Sequence, residues 1–288
     1  MPASVQELTA LLELEEIERT LYRGSQPATS LQRAFGGQVL AQALTAAQQT
    51  LQGEQTVHSL HAYFLRPGRT DSPIIYDVEL LRDGRSFATR RVLARQGGSV
   101  IFTVSASFHV AEAGLEHQDP FPADVPAPED CPRLSEAMAA QSGRRAAVWE
   151  AEWGALDVRY AGDSRRGGVL DGTDHPARAR VWIKVAGELP DSPTLHQAAL
   201  AYASDLTLLA VSVVPHPVVF GGPGLQAASI DHSMWFHRPF RADQWLLYDQ
   251  VSPSARSSLG LSTGRLYQDG QLVATVAQEG LIRVIDPA

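Results

Sequence analysis

Two stretches of this chain are mainly small and apolar, and each is followed by runs rich in β-branched and aromatic residues. "AFGGQVLAQALTAAQQ" (34–49) reads as one helix. "SPTLHQAALAYASDLTLLAVSV" (192–213) reads as a second, with Ser192 as N-cap, Pro193 as first helical residue and Pro215 as terminator. Downstream of each, the pattern predicts a strand, a long strand and a hairpin of two more strands, punctuated by turn residues.

The two halves match when the chain is slid on itself by 172 residues. "HSLHAYFLRPGRTDSPIIYDVELL" then lies over "IDHSMWFHRPFRADQWLLYDQVSP", with Phe64 on Phe236, Arg66-Pro67 on Arg238-Pro239, Asp71 on Asp243 and Tyr76 on Tyr248. The same shift sets Gln96 on Gln268 and Gly98 on Gly270, so the turn signals "QGG" and "QDG" coincide between apolar runs. A helix followed by several long antiparallel strands, twice in one chain, predicts an α+β fold of two units, each a curved sheet wrapped around one helix. The expected boundaries are 1–110 and 156–288. The segment 111–155, Pro-rich and then helix-prone, is expected to run over the surface between them.

Within this frame the second copy carries polar residues that the first lacks. Asp205 falls on Arg33, Ser229 on Val57 and Gln278 on Ala106. A carboxylate in an apolar stretch is expensive to bury without a partner or a task. Strand residues facing the helix would bring a hydroxyl and an amide to that acid, and such a set suits a hydrolytic water: the carboxylate takes its proton while the other two hold it in line. Taken singly, each has a bland alternative, as a solvent-facing helix acid, an ordinary strand serine and a solvated glutamine.

His58 and His61 compete as the base, because histidine titrates near neutrality; the alternative is that they orient substrate or satisfy core hydrogen bonds. His232 and His237, flanking Met234 and Trp235, read as core or interface. Cys131, the one cysteine, can form no intramolecular disulfide and has no activating neighbour in its acidic, Pro-rich setting. The sequence contains no G-x-S-x-G elbow, no H-E-x-x-H metal helix and no G-x-x-x-x-G-K phosphate loop, so neither a metal nor a cofactor is expected. "GGPGLQ" (221–226) reads as a turn.

Composition narrows the class. With 288 residues, 44% hydrophobic and 19% charged, the chain is that of a globular protein. A net charge of -8 and the lack of a long basic cluster argue against a nucleic-acid binder. The acidic amphipathic N-terminus is unlike a signal peptide, and no apolar run has the length of a membrane span. The expectation is a cytoplasmic protein that does not insert into membranes.

"FGGQVLAQAL", "HSLHAYFLRPG", "LRDGRSFATRRV", "YASDL", "IDHSMWFHRPF", "WLLYDQVSPSA" and "VATVAQEGLIR" together resemble the type II acyl-CoA thioesterase (TesB-like) family, over about residues 10–285 apart from the connecting stretch. The resemblance implies a tandem double hotdog fold with sheets joined side by side, and hydrolysis of fatty acyl-CoA to free acid and coenzyme A. It assigns catalysis to Asp205, Ser229 and Gln278, where serine replaces the family's frequent threonine, and substrate binding to His58, Gly36 and Gly37. The N-terminal copy is then non-catalytic. A homodimer or homotetramer is expected, since hotdog sheets leave edges that pair. The rival readings are a double hotdog enoyl-CoA hydratase, whose D-x-N-P-x-H type dyad is missing, and an acyl-CoA binding protein without catalysis.

Overall fold

The structure, a computed structural model, describes all residues except 143–148, 150–151, 169, 171–174 and 286–288. The first half holds helix α1 (Val5–Leu12), strands β1 (Glu15–Glu18) and β2 (Leu21–Gly24), helix α2 (Gly36–Gln49), and strands β3 (Thr56–Phe64), β4 (Ile74–Asp83), β5 (Phe87–Gln96) and β6 (Ser99–His109). After helix α3 (Leu134–Ser142), the second half holds β7 (Leu156–Asp163), β8 (Arg178–Val185), helix α4 (Pro193–Ser204) and β9 (Leu225–Ser229). It ends with β10 (Asp231–Phe236), β11 (Leu246–Arg256), β12 (Leu259–Gln268) and β13 (Gln271–Val284).

Among the described residues these strands form one antiparallel sheet in the order β1-β2-β4-β5-β6-β3-β10-β13-β12-β11-β8-β7, with β9 beside β13. The order reads the same from either end once the two halves are equated, with β3 against β10 at the centre. The predicted hotdog units are therefore joined edge to edge, and α2 packs against α4 on the inner side. Val39, Leu40 and Leu44 of α2 and Leu200 of α4 are buried there, each such side chain stabilising the fold by about 1.5–3 kcal/mol.

The 172-residue shift holds across the strands down to individual hydrogen bonds. Gln96 accepts from Arg69 N and donates to the Arg69 carbonyl; Gln268 does the same with Arg241. The matching β5–β6 and β12–β13 turns each have two consecutive residues at positive φ, Gly97 (56°) and Gly98 (79°) in one and Asp269 (50°) and Gly270 (77°) in the other, as a type I′ connection requires.

The shift fails upstream of those strands. From Gly36 to Pro193, where the helices begin, the separation is 157 rather than 172. The second copy carries extra chain between its helix and first strand, and it begins at Asp205. The expected helix 192–213 accordingly ends at Ser204; Asp205 is its C-cap, and a separate 3₁₀ stretch covers Leu208–Val213. Asp and Thr favour local turns over helix interior, and "SDLT" ends the α-helix there. In the fold, the counterpart of Asp205 is Thr50, the C-cap of α2, and not Arg33.

The connecting segment is also more than a surface strap. Trp149 and Trp153 pack against the core and Cys131 is buried. Glu152, buried, accepts from the Met1 ammonium, Thr29 and Ser30; these donors hold its carboxyl down at about 2 against the opposing effect of burial.

Candidate active site

The acid lies where the two units meet. Gly37 N, in the first turn of α2, donates to Asp205 Oδ2 at 2.8 Å. Phe35, at the N-cap of α2, offers no side-chain acceptor, so the helix's first-turn amides and its positive end are left for other partners. A Cβ on Gly36 would stand 2.7 Å from Asp205 Oδ2, and one on Gly37 would collide with the Tyr202 carbonyl. The two glycines of "FGGQ" let the first unit's helix start against the second unit's acid.

Ser229 ends β9 and Gln278 lies on the inner face of β13. Gln278 Nε2 donates to Asp205 Oδ1 at 2.5 Å and to Ser229 Oγ at 2.7 Å, and Ser229 Oγ donates to the same Oδ1 at 3.3 Å. Three residues chosen from the asymmetry of the repeat thus form one hydrogen-bonded cluster. Gln278 Oε1 is buried with no protein partner. The Asp205 side chain is 5% exposed. Burial pushes its carboxyl up to about 6, more than the bonds from Gln278, Gly37 and Ser229 pull it down.

A cavity of about 280 Å³ reaches this cluster, lined by Gly36, Phe64, Arg66, Phe102 and Ser229 among others. A second cavity, of about 170 Å³, lies behind Leu206 and Thr207, among Val181, Val211 and Phe220; of the cluster, only Ser229 lines the first cavity, and none of the three lines the second.

The structure does not bring His58 to the site. Its Nε2 bonds Ser107 Oγ at 2.8 Å, and its ring contacts Phe87 and His109. Phe64, which lines the cavity, sits six residues further along β3, about 20 Å away at the rise of a strand. Burial, with His109 adding to it, lowers the His58 pKa. His61 is exposed on the outer face beside Ser233 and Trp235. His237 bonds Thr275.

Two roles escaped the sequence reading. Gly37, expected from the resemblance to bind substrate, gives its amide to Asp205, a backbone role that leaves no side-chain signal. His232, fully buried, has Nδ1 3.9 Å from Asp205 Oδ1; comparing it with Leu60, its partner under the same shift, would have revealed it. Among the described residues no three His, Cys, Asp or Glu side chains are grouped to hold a metal, and no helix is long and apolar enough to cross a membrane.

The chain is similar to known proteins over most of its length. A family model for acyl-CoA thioesterase matches residues 154–281, and one for the acyl-CoA thioesterase N-terminal domain matches residues 25–109. The chain is 40% identical to acyl-CoA thioesterase 2 of Haemophilus influenzae, covering 96% of each, and 37% identical to human acyl-coenzyme A thioesterase 8, covering 96% of this chain and 89% of the relative. The crystal structure of acyl-CoA thioesterase II TesB2 from Mycobacterium marinum matches 97% of this chain and 99% of its own at 44% identity, with a TM-score of 0.82.

Proposed function

This chain belongs to the acyl-CoA thioesterase family, and we propose that its hydrolysis of acyl-CoA to free acid and coenzyme A runs through Asp205, Ser229 and Gln278. The observation that carries this reading is a single carboxylate, buried at the seam of two units and tied to an amide and to a hydroxyl that lines a cavity.

A water held against Asp205 directs one proton at the carboxylate and keeps a lone pair free for attack. Asp205 takes one proton as the water oxygen bonds to the thioester carbonyl carbon. Charge gathers on the carbonyl oxygen, and the positive end of α2, whose first turn has no side-chain cap, stabilises it; Ser229 and Gln278 spend their donors on holding Asp205 in place. Collapse breaks the C–S bond and releases the thiolate of coenzyme A. Alkyl thiols ionise near about 8–9, so departure needs little acid assistance; the proton on Asp205 returns to solvent or thiolate. A carboxylate raised toward 6 is a stronger base than an ordinary one, yet stays largely ionised at neutral pH.

The finer features of this proposal are a preference for fatty acyl chains, a cytoplasmic site of action and assembly into a homodimer or homotetramer, which light scattering measures. Asp205→Asn tests the chemistry. Thiol release from an acyl-CoA, followed with a thiol reagent, should fall by about two orders of magnitude or more while the melting transition persists. Wild-type turnover in the folded variant overturns the assignment.

A further inference from the structure

His232 lies on β10 next to Ser233, which pairs with Ala277, the neighbour of Gln278, in the β10–β13 ladder, and none of its surface is exposed. Its twin under the repeat is Leu60, which is buried equally deeply. A polar ring therefore stands where the non-catalytic copy has hydrocarbon, as Gln278 stands for Ala106. Its two nitrogens are not alike: Nε2 is 2.9 Å from Ser204 Oγ, whereas Nδ1 is buried without a hydrogen-bond partner.

The surroundings select the tautomer. Ser204 has one hydroxyl proton and two acceptors at 2.9 Å, the Ala201 carbonyl one turn back in α4 and His232 Nε2; the back-bond to the carbonyl, habitual for a serine in a helix, takes it. The 3.4 Å contact to Met234 Sδ is the weaker alternative. With that proton committed, Ser204 Oγ can only accept from the ring, so the hydrogen of His232 is on Nε2 and Nδ1 presents a bare lone pair. That lone pair faces Asp205 Oδ1 at 3.9 Å. Against a carboxylate it has nothing to bind. Against a carboxylic acid it has a partner.

We propose that His232 is a positioning residue for Asp205: once the carboxylate has taken the water's proton, Nδ1 accepts the hydrogen bond from the new O–H and holds the acid form during the lifetime of the intermediate. The inference rests on Asp205 being the base. Closing 3.9 Å to hydrogen-bond length takes a displacement of about 1 Å, the amplitude of ordinary thermal motion. Burial keeps the ring uncharged, lowering its pKa to about 3, so it serves as acceptor and not as acid.

The other groups facing the pair do not titrate near neutrality. They are the Gly37 amide from α2, Ser204 from α4, Ser229 from β9, Gln278 from β13, and Tyr248 from β11, whose hydroxyl donates to the Ser204 carbonyl. Burial raises the Tyr248 pKa far above neutrality, with Asp205 adding to it. Asp231 and Glu279, next in sequence to His232 and Gln278, fall on the opposite face by strand alternation.

The test is the pH profile of kcat/KM for His232→Leu, which installs the first copy's residue, and for His232→Asn, whose amide oxygen can occupy the place of Nδ1. Loss of the acceptor should move the acid limb of His232→Leu down by about half to one pH unit and lower kcat several-fold with KM unchanged. His232→Asn should keep its limb near the wild-type position. A limb that stays in place or rises in His232→Leu overturns the inference, as does an Asn limb displaced as far as the Leu limb. If His232→Leu does not fold, ¹⁵N NMR of the intact enzyme decides: protonated Nε2 and bare Nδ1 are expected, and an Nδ1–H tautomer contradicts it. Failure of the base assignment looks different, because Asp205→Asn would then retain turnover whatever His232 does.

Discussion

The ends of the two central helices show how one fold supplies a wall in one copy and a reaction centre in the other. At the C-terminus of α2, Thr50 meets Arg90 of β5: Nε donates to Thr50 Oγ1 at 2.7 Å, and the guanidinium, 1% exposed, also reaches Asp83. A cation at a helix C-terminus is favourable, and this one fills the space beneath the helix. At the C-terminus of α4 the acid Asp205 replaces Thr50, and Ser262 of β12, the twin of Arg90 under the 172-residue shift, replaces the long cation. Ser262 is fully buried and its hydroxyl has no partner. The small residue leaves the inner face to its neighbour Gln278. A carboxylate without a cation is thereby kept close to the protonation state of a general base, and the positive end it lacks locally comes from the other unit's helix, through Gly37.

Crowding that shared seam should have the largest effect. Gly36→Ala sets a methyl 2.7 Å from Asp205 Oδ2, and displacement of the acid should lower kcat by about ten- to a hundredfold with little change in melting temperature. Unchanged turnover would mean that the first unit's helix only supports the site.

The acid's stability cost sharpens the same contrast. Because the folded pKa of Asp205, about 6, is above its unfolded value, the folded protein binds this proton more tightly. Its stabilising contribution is complete below about pH 4 and is lost as pH rises to about 6, by at most about 3 kcal/mol. Urea titrations across that window should show wild type losing stability relative to Asp205→Asn. Parallel curves would contradict the raised pKa.

Removing the first copy's cation should act on stability alone. Arg90→Ser should cost about 1–3 kcal/mol of unfolding free energy and leave kcat within about twofold, which denaturant titration and the thiol assay measure together. A large loss of turnover would show the first unit's helix end to be part of the catalytic apparatus.

The strands and their turns were legible in the sequence because burial on a sheet imposes local patterns, and duplication set the same pattern down twice. The short edge strand β1, Glu15–Glu18, is exposed throughout and has no such pattern to read. An ungapped comparison cannot see inserted chain, so it paired Asp205 with Arg33 although it found Ser229 and Gln278 correctly in register with Val57 and Ala106. His58 was chosen for the chemistry of its ring, but position along β3 decides access, and only the far end, at Phe64, reaches the cavity. Gly37 acts through its backbone, which every residue but proline possesses.

The pH dependence of thiol release by wild type and by any residual activity of Asp205→Asn tests the role of the buried acid most directly. Wild-type kcat/KM should fall tenfold per pH unit below a single ionisation near 6, and the limb should vanish in the variant. A wild-type profile flat down to pH 4, or the same limb surviving in folded Asp205→Asn, would show that another group takes the proton from water.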